Sequence, residues 1–380
     1  MTEILSQNQV RILDIAQAVI HNLLSLSILF EVDPSQQNSV VKKLLSKATE
    51  LKLKFDFQAL ETGASPRKGS HRYHYAVTLI SSEITARSLH AVTHKLAGLG
   101  TNIDVIKRLS EDEFSCVEMM VSSSAKLDER LLKKELLQIA KDESVDIALQ
   151  AEGLYRRAKR LVVLDMDSTL IQCEVIDELA RKRGVYDEVS KITHEAMSGK
   201  INYDESLIRR CEKLKGLTLA EMEEVFQNIQ LTPGAKDLIH VLKKLGYKIA
   251  LISGGFTWMA DRFKEQLQID FAYANVLEIK DGKLTGKVLL PIVNAQRKAD
   301  LVDVISQQEK IELDQVIAIG DGANDIPMLE KAGLGIAFNA KSVVRERADL
   351  ALSQKNLRSI LYLLGLSGRD LTDAGISFSR

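Results

Sequence analysis

Two aspartates one residue apart, Asp165 and Asp167 in the run Asp-Met-Asp-Ser-Thr, follow directly on the apolar stretch Leu161-Val162-Val163-Leu164. Aspartate pairs on loops are mostly plain solvated charge. A pair that leaves a buried strand is different, because the strand end holds both carboxylates in one crevice. There they raise one another's pKa unless a cation stands between them. Oxygen ligands alone point to magnesium, which takes few carboxylates and keeps places for water and substrate phosphate. Further along, Gly320-Asp321-Gly322-Ala323-Asn324-Asp325 follows a second apolar run, residues 316–319, and brings two more carboxylates on a glycine-rich turn. A third run, residues 248–252, ends in Ser253-Gly254-Gly255, a hydroxyl and glycine amides suited to hold phosphate oxygens at the start of a helix. Lys298 adds a cation that could balance the carboxylates and a transferred group.

The elements that must position these residues are strands alternating with helices from about residue 157 onward. That order predicts an α/β fold with a doubly wound, mostly parallel sheet, whose ligands gather at the carboxyl ends of the strands. Residues 277–290 carry Asp281-Gly282 between short apolar runs and read as a β-hairpin with no chemical part assigned. From residue 348 a last strand and helix are expected. The polar stretch from Gly368 to Arg380 reads as a poorly ordered tail.

Ahead of this region, Tyr73, Tyr75, Val77 and Leu79 alternate along one strand face. A helix with Leu89, Val92, Leu96 and Leu99 on one side follows. Strands fit residues 102–109, 114–122 and 145–150, and a helix fits 128–141, so the order is βαββαβ. Residues 1–70 repeat part of it: strands over 10–20, 24–32 and 53–60, with a helix over 40–51. Val40-Val41-Lys42-Lys43 falls on Leu131-Leu132-Lys133-Lys134 and Ile12 on Ile103, both at a separation of 91 residues. Met1 then aligns with Val92, and the first unit is expected to lack its first strand and half a helix.

Composition is that of an ordinary globular protein, 45% hydrophobic and 27% charged, and the net charge of −1 argues against a general nucleic-acid or acidic-membrane surface. Cys116, Cys173 and Cys211 lie too far apart in sequence to suggest a zinc site or a disulfide framework. A cytoplasmic protein is expected, since no secretory leader is visible at the start and the early apolar stretch is too short to span a bilayer.

The set DMDST, Ser253, Lys298 and GDGAND, in that order, resembles the haloacid dehalogenase-like phosphohydrolases over residues 160–350. The resemblance implies that Asp165 is a nucleophile forming an aspartyl-phosphate and that Asp167 is the general acid and base. It also implies magnesium held by Asp165, the Asp167 backbone carbonyl and Asp321, with Asp325 in support. Residues 157–380 would be the phosphatase core, with a small helical cap at about 174–232. Within the cap, GKINYDESLIRR and LKGLT look like the phosphoserine phosphatases, whose substrate pocket falls on Glu174, Met197, Tyr203 and Arg210. By that likeness Glu174 takes the ammonium of phosphoserine, Arg210 its carboxylate, and Ser253, Gly254, Lys298 and Asn324 the phosphate side. The expected reaction is hydrolysis of O-phosphoserine to serine and phosphate in serine biosynthesis. A phosphotransferase of the same fold acting on homoserine or another small alcohol is one alternative; an amino-acid-sensing regulatory protein is another.

Residues 1–70 and 71–153 resemble ACT domains, ferredoxin-like modules that often bind amino acids where copies pair. Where that family's first turn carries glycine, this chain reads Ser81-Ser82-Glu83. A homodimer is expected, with the two units either serving dimer formation alone or also taking an amino-acid effector.

Overall fold

Alternate residues of the three apolar runs go to opposite faces of one sheet. Val162, Leu164, Ile249, Leu251, Ile317 and Ile319 pack into one apolar cluster, whereas Leu161, Val163, Ala250, Ile252, Val316 and Ala318 pack into another. Burial on both faces is what a parallel sheet covered by helices requires. The structure, a computed structural model, describes residues 2–8, 10–20, 23–60, 72–110 and 114–376. The chain forms two units, Met1–Lys68 and Gly69–Arg380. The boundary expected near residue 70 lies outside the described residues, as do the last four residues of the tail.

The first unit contains α1 (Thr2–Gln7), β1 (Arg11–Ile20), β2 (Leu23–Glu31) and α2 (Gln37–Glu50). The strands pair antiparallel as a two-stranded sheet. Val40, Leu44 and Ala48, each one turn apart, are the buried stripe of α2. Leu5, Ile28, Phe30 and Phe55 join Val40 and Leu44 in one small cluster. The strand expected over 53–60 is not formed. A strand exists through its ladder, and the described residues of this unit supply no neighbour for it; only the packing of Phe55 remains of the expected pattern.

The second unit begins with β3 (Tyr73–Ser81), α3 (Ala86–Gly98), β4 (Asn102–Ser110), β5 (Ser115–Ser123), α4 (Glu129–Glu143) and β6 (Asp146–Ala151), the βαββαβ order. Thr85 and Asp128 cap the two helices by accepting from Ser88 N and Leu131 N. The antiparallel sheet runs β4-β5-β3-β6. Tyr75, Val77 and Leu79 face the helices, packing with Val92, Leu96, Leu132 and Leu136. The other face is buried too: Ile80, Cys116 and Ala148 belong to the same apolar cluster as the large sheet and the C-terminal helices. Asp146 stitches this seam. Its carboxylate accepts from Ser353 N (2.8 Å), Ser353 Oγ (2.7 Å) and Gln354 N (3.2 Å).

The chain passes through a short helix α5 (Leu154–Arg157), where the Arg156 guanidinium is buried against Glu118, Glu152 and Gln150. It then enters the large sheet at β7 (Leu161–Leu164). Four helices follow in the segment expected as the cap: α6 (Val175–Arg183), α7 (Tyr186–Met197), α8 (Tyr203–Lys213) and α9 (Leu219–Asn228). The sheet continues through α10 (Ala235–Lys244), β8 (Lys248–Phe256), α11 (Thr257–Leu267), the hairpin β9 (Phe271–Lys280) and β10 (Lys283–Leu289), and α12 (Ala295–Glu309). It ends with β11 (Val316–Gly320), α13 (Ile326–Lys331), β12 (Leu334–Phe338), α14 (Ser342–Arg345), β13 (Leu350–Leu352), α15 (Ser359–Leu363) and α16 (Gly368–Asp373). Strand order is β10-β9-β8-β7-β11-β12-β13, parallel except for β10. The first strand, β7, is central, with β8 to one side and β11 to the other, and so marks the point where the winding reverses.

The polar tail is ordered through Ile376, against expectation. Leu371 and Ile376 are buried, and Ser367 caps α16 through a reciprocal pair with Asp370. Two apolar anchors spaced through a charged segment were enough to dock it. Removing the seam acceptor gives the first test. Asp146→Ala strips the partner from two backbone amides and a hydroxyl, and should lower the stability of the protein by about 2–4 kcal/mol, read as a lower urea midpoint.

Candidate active site

The site lies at the carboxyl ends of β7, β8 and β11, and each strand delivers one segment. Asp165 follows β7 and is tied sideways to β11 by its own N–H, which donates to the Ile319 carbonyl at 2.9 Å. The chain then turns sharply over Met166–Leu170, with Ser168 in the left-handed region at φ 58°. That turn separates the two aspartates. Asp165 stays with the sheet, whereas Asp167 accepts from Val175 N (2.8 Å), at the opening of cap helix α6, and from the Ser253 hydroxyl (3.3 Å).

Lys298 sits in the first turn of α12 with 0% exposure, so its ammonium requires partners. It donates to Asp165 Oδ1 and to Asp325 Oδ1, both at 2.6 Å. Burial alone would lower the lysine's pKa, but Asp165 and Asp325 hold it above its ordinary value. Asp325 is completed by Gly322 N, which donates to its second oxygen at 2.9 Å. Gly320 makes room for it, since a Cβ there would stand 2.6 Å from the Asp325 carboxyl.

Asp321 accepts from the Thr169 hydroxyl at 3.0 Å. Oxygens of Asp165, Asp321 and Asp325 lie within 4.8 Å of one another, a cluster that could hold a metal ion. Burial pushes the carboxyl pKa of Asp321 up to about 7, with Asp325 adding to it. Asp165 is raised well above the usual carboxylate range by burial and then by Asp325. Carboxyls crowded in this way are the environment that a divalent cation relieves. Asp167 rises to about 7, through burial first and the Glu174 charge second.

A cavity of about 1160 Å³ opens over this cluster, lined by Asp165, Asp167, Glu174, Arg210, Gly254 and Asn324 among others. Ser253, Lys298 and Asp325 stand behind its wall, all three with 0% exposure. Glu174 is at the rim, accepting from the Ser168 hydroxyl at 2.8 Å. Arg209 and Arg210 differ sharply. Arg209 is paired with Glu205 and Glu195, but among the described residues Arg210 forms no ion pair and uses only Nε, on the Ser206 carbonyl. Met197 is 68% exposed and lines the same cavity.

Ser253-Gly254-Gly255 differs from expectation in its setting. These residues do not open a helix; they form an irregular part of β8, where the register with β9 shifts between Ile252 and Phe256, and α11 starts only at Thr257. The Ser253 hydroxyl is turned onto its own strand, accepting from Gly255 N at 2.8 Å. A Cβ on Gly255 would lie 2.7 Å from the Asp167 carboxylate, so the strand comes this close only as glycine.

Three polar residues escaped the sequence reading. Thr169 orients Asp321, Asn294 caps α12 by accepting from Arg297 N, and Asn275 is wholly buried on β9 with its amide donating to the Gly254 carbonyl at 2.7 Å. Thr169 ends the Asp-Met-Asp-Ser-Thr run but was given no part of its own, and Asn275 carried a signal as an amide within the run FAYANVLEI, a poor strand residue unless something holds it.

The haloacid dehalogenase-like hydrolase family model matches residues 159–333, and ACT domain models match 1–58 and 73–150. Phosphoserine phosphatase of Streptomyces coelicolor is 45% identical over 298 residues, covering 78% of this chain and 72% of that one. Phosphoserine phosphatase SerB2 of Mycobacterium tuberculosis is 37% identical over 377 residues, 98% of this chain and 91% of the other. The chain belongs to the phosphoserine phosphatase family. It is therefore a phosphatase enzyme, with a haloacid dehalogenase-like core behind two ACT domains. A solved structure described as a phospho-aspartyl intermediate analogue of phosphoserine phosphatase is 46% identical, with a TM-score of 0.51, and covers 54% of this chain and 98% of its own. Among the described residues no helix is long and apolar enough to cross a membrane.

The buried ammonium gives the phosphatase a direct test. Lys298→Met leaves Asp165 and Asp325 buried with no cation between them, and breaking a buried ion pair in this way costs about 3–5 kcal/mol. Phosphate release should be lost and the urea midpoint should fall together.

Proposed function

We propose that this phosphatase hydrolyses O-phosphoserine to serine and phosphate through an aspartyl-phosphate on Asp165, with magnesium as cofactor. The observation that carries the substrate is the pair Glu174 and unpaired Arg210 on the wall of the same cavity as Asp165. An anion, a guanidinium fork and a phosphate-accepting floor are complementary to an ammonium, a carboxylate and a phosphate on one small molecule.

In the first step Asp165 attacks phosphorus and the serine oxygen leaves, taking its proton from Asp167. The raised pKa of Asp167 suits it to carry that proton near neutrality. In the second step Asp167, now ionised, accepts a proton from water, and the hydroxyl attacks the phosphorus of the mixed anhydride, releasing phosphate and regenerating Asp165. Lys298 donates to Asp165 and offsets part of the cost that burial and Asp325 place on its charge. The oxygen-only set of Asp165, Asp321 and the Asp167 backbone carbonyl, with Asp325 behind, suits magnesium, which when bound neutralises charge on the phosphoryl oxygens.

The reading extends to a cytoplasmic homodimer whose ACT domains are open to an amino-acid effector. Val105 and Ile106, more than half exposed on the edge strand β4, support pairing with another copy.

Two substitutions test the reaction and the substrate separately. Asp165→Asn should abolish magnesium-dependent phosphate release from phosphoserine, and substantial residual turnover would exclude the covalent route. Arg210→Ala should lower kcat/KM for phosphoserine by about 10²-fold, as expected for truncating one partner of a buried charge pair, and should cost a small aryl phosphate far less. Equal losses on the two substrates would remove Arg210 from carboxylate recognition.

A further inference from the structure

Two neighbouring cap residues each bond a different segment of the catalytic core. The Tyr203 hydroxyl donates to the Gly254 carbonyl at 3.1 Å. Asn294 Nδ2 donates to the Asp204 carboxylate at 3.2 and 3.4 Å. The two core partners are themselves joined through Asn275. Its amide donates to the same Gly254 carbonyl at 2.7 Å, and its Oδ1 accepts from Val293 N, also at 2.7 Å, one residue before Asn294. These bonds close a ring: Tyr203, Gly254, Asn275, Val293–Asn294, Asp204, and back to Tyr203 along the chain.

Each member of the ring adjoins a working part of the site. Gly254 belongs to the segment assigned to phosphate, and it approaches the cap so closely that a Cβ on it would lie 2.4 Å from the Tyr203 hydroxyl. Asn294 caps α12 one turn ahead of Lys298. Tyr203 and Asp204 open α8, which presents Arg210 two turns later. Asn275 is fully buried, so the core half of the ring is rigid, while Tyr203 and Asp204 are half-buried and belong to the cap.

We infer that Tyr203 and Asp204 are positioning residues, a latch that seats the cap in one register and so sets the separation between Arg210 and the phosphate-side residues. The inference rests on the proposed phosphoserine reading for its consequence in turnover, though not for the latch itself. A substrate that spans cap and core needs this register; the hydroxyl and the carboxylate supply it through Gly254 and Asn294.

The pair Asp204 and Asn294 can be broken and rebuilt. Asn294→Asp sets two carboxylates against each other while keeping a good helix cap. Adding Asp204→Asn restores one donor and one acceptor with their direction reversed. In the substrate-free protein, Asn294→Asp should speed amide hydrogen exchange over α8 while β7 and β11 exchange as before, and the double variant should return α8 to the original rate. For phosphoserine, kcat/KM should fall about tenfold in Asn294→Asp and recover in the double variant, and Tyr203→Phe should lose about fivefold, the scale of one or two hydrogen bonds. Unchanged exchange over α8 in Asn294→Asp, or no recovery in the double variant, would overturn the latch. Because exchange is read without substrate, a wild-type enzyme inactive on phosphoserine would sink the proposed reaction and leave this test standing.

Discussion

One ammonium between two carboxylates organises the catalytic domain. Lys298, Asp165 and Asp325 are all buried, come from three distant parts of the chain, and would each be costly alone. The strand β7 has to end where it does, the helix α12 has to start where it does, and the loop after β11 has to turn back on itself, or one of these charges is left without a partner. Gly320 and Gly322 serve this geometry, the first by leaving space for the Asp325 carboxyl and the second by donating to it.

The second aspartate is governed by different neighbours. Asp167 is bonded to the first residue of cap helix α6 and to a strand hydroxyl, whereas Asp165, two residues earlier, is bonded to Lys298 and to the strand β11. One acid is bonded to a lysine, whereas the other has its pKa raised to about 7 by burial and by Glu174.

What could be read from the residues was whatever periodicity and segment order encode. Runs such as Val162 to Leu164 declare a buried strand, and an acid at the end of such a run declares a site, so the sheet and the meeting of Asp165, Lys298 and Asp321 at its edge were legible. Features that depend on a distant partner were not. Residues 53–60 alternate like a strand but have no ladder to join; the tail looks solvated until Leu371 and Ile376 find a surface; Ser253 looks like a helix start but lies in a strand whose register slips. The partners of Asn275, Asn294 and Thr169 could not be read, because their roles arise only where segments far apart in sequence come together.

The second ACT domain illustrates a last point about modularity. Its sheet is covered by its own helices on one side and by the catalytic domain on the other, with Asp146 reaching across to Ser353 and Gln354. Cutting the chain near residue 153 and parting the fragments would bare Ile80, Cys116 and Ala148 and leave Asp146 without Ser353 and Gln354, turning one interior into a sticky surface. In this chain the natural joint is not where the sequence pattern changes from one domain to the next.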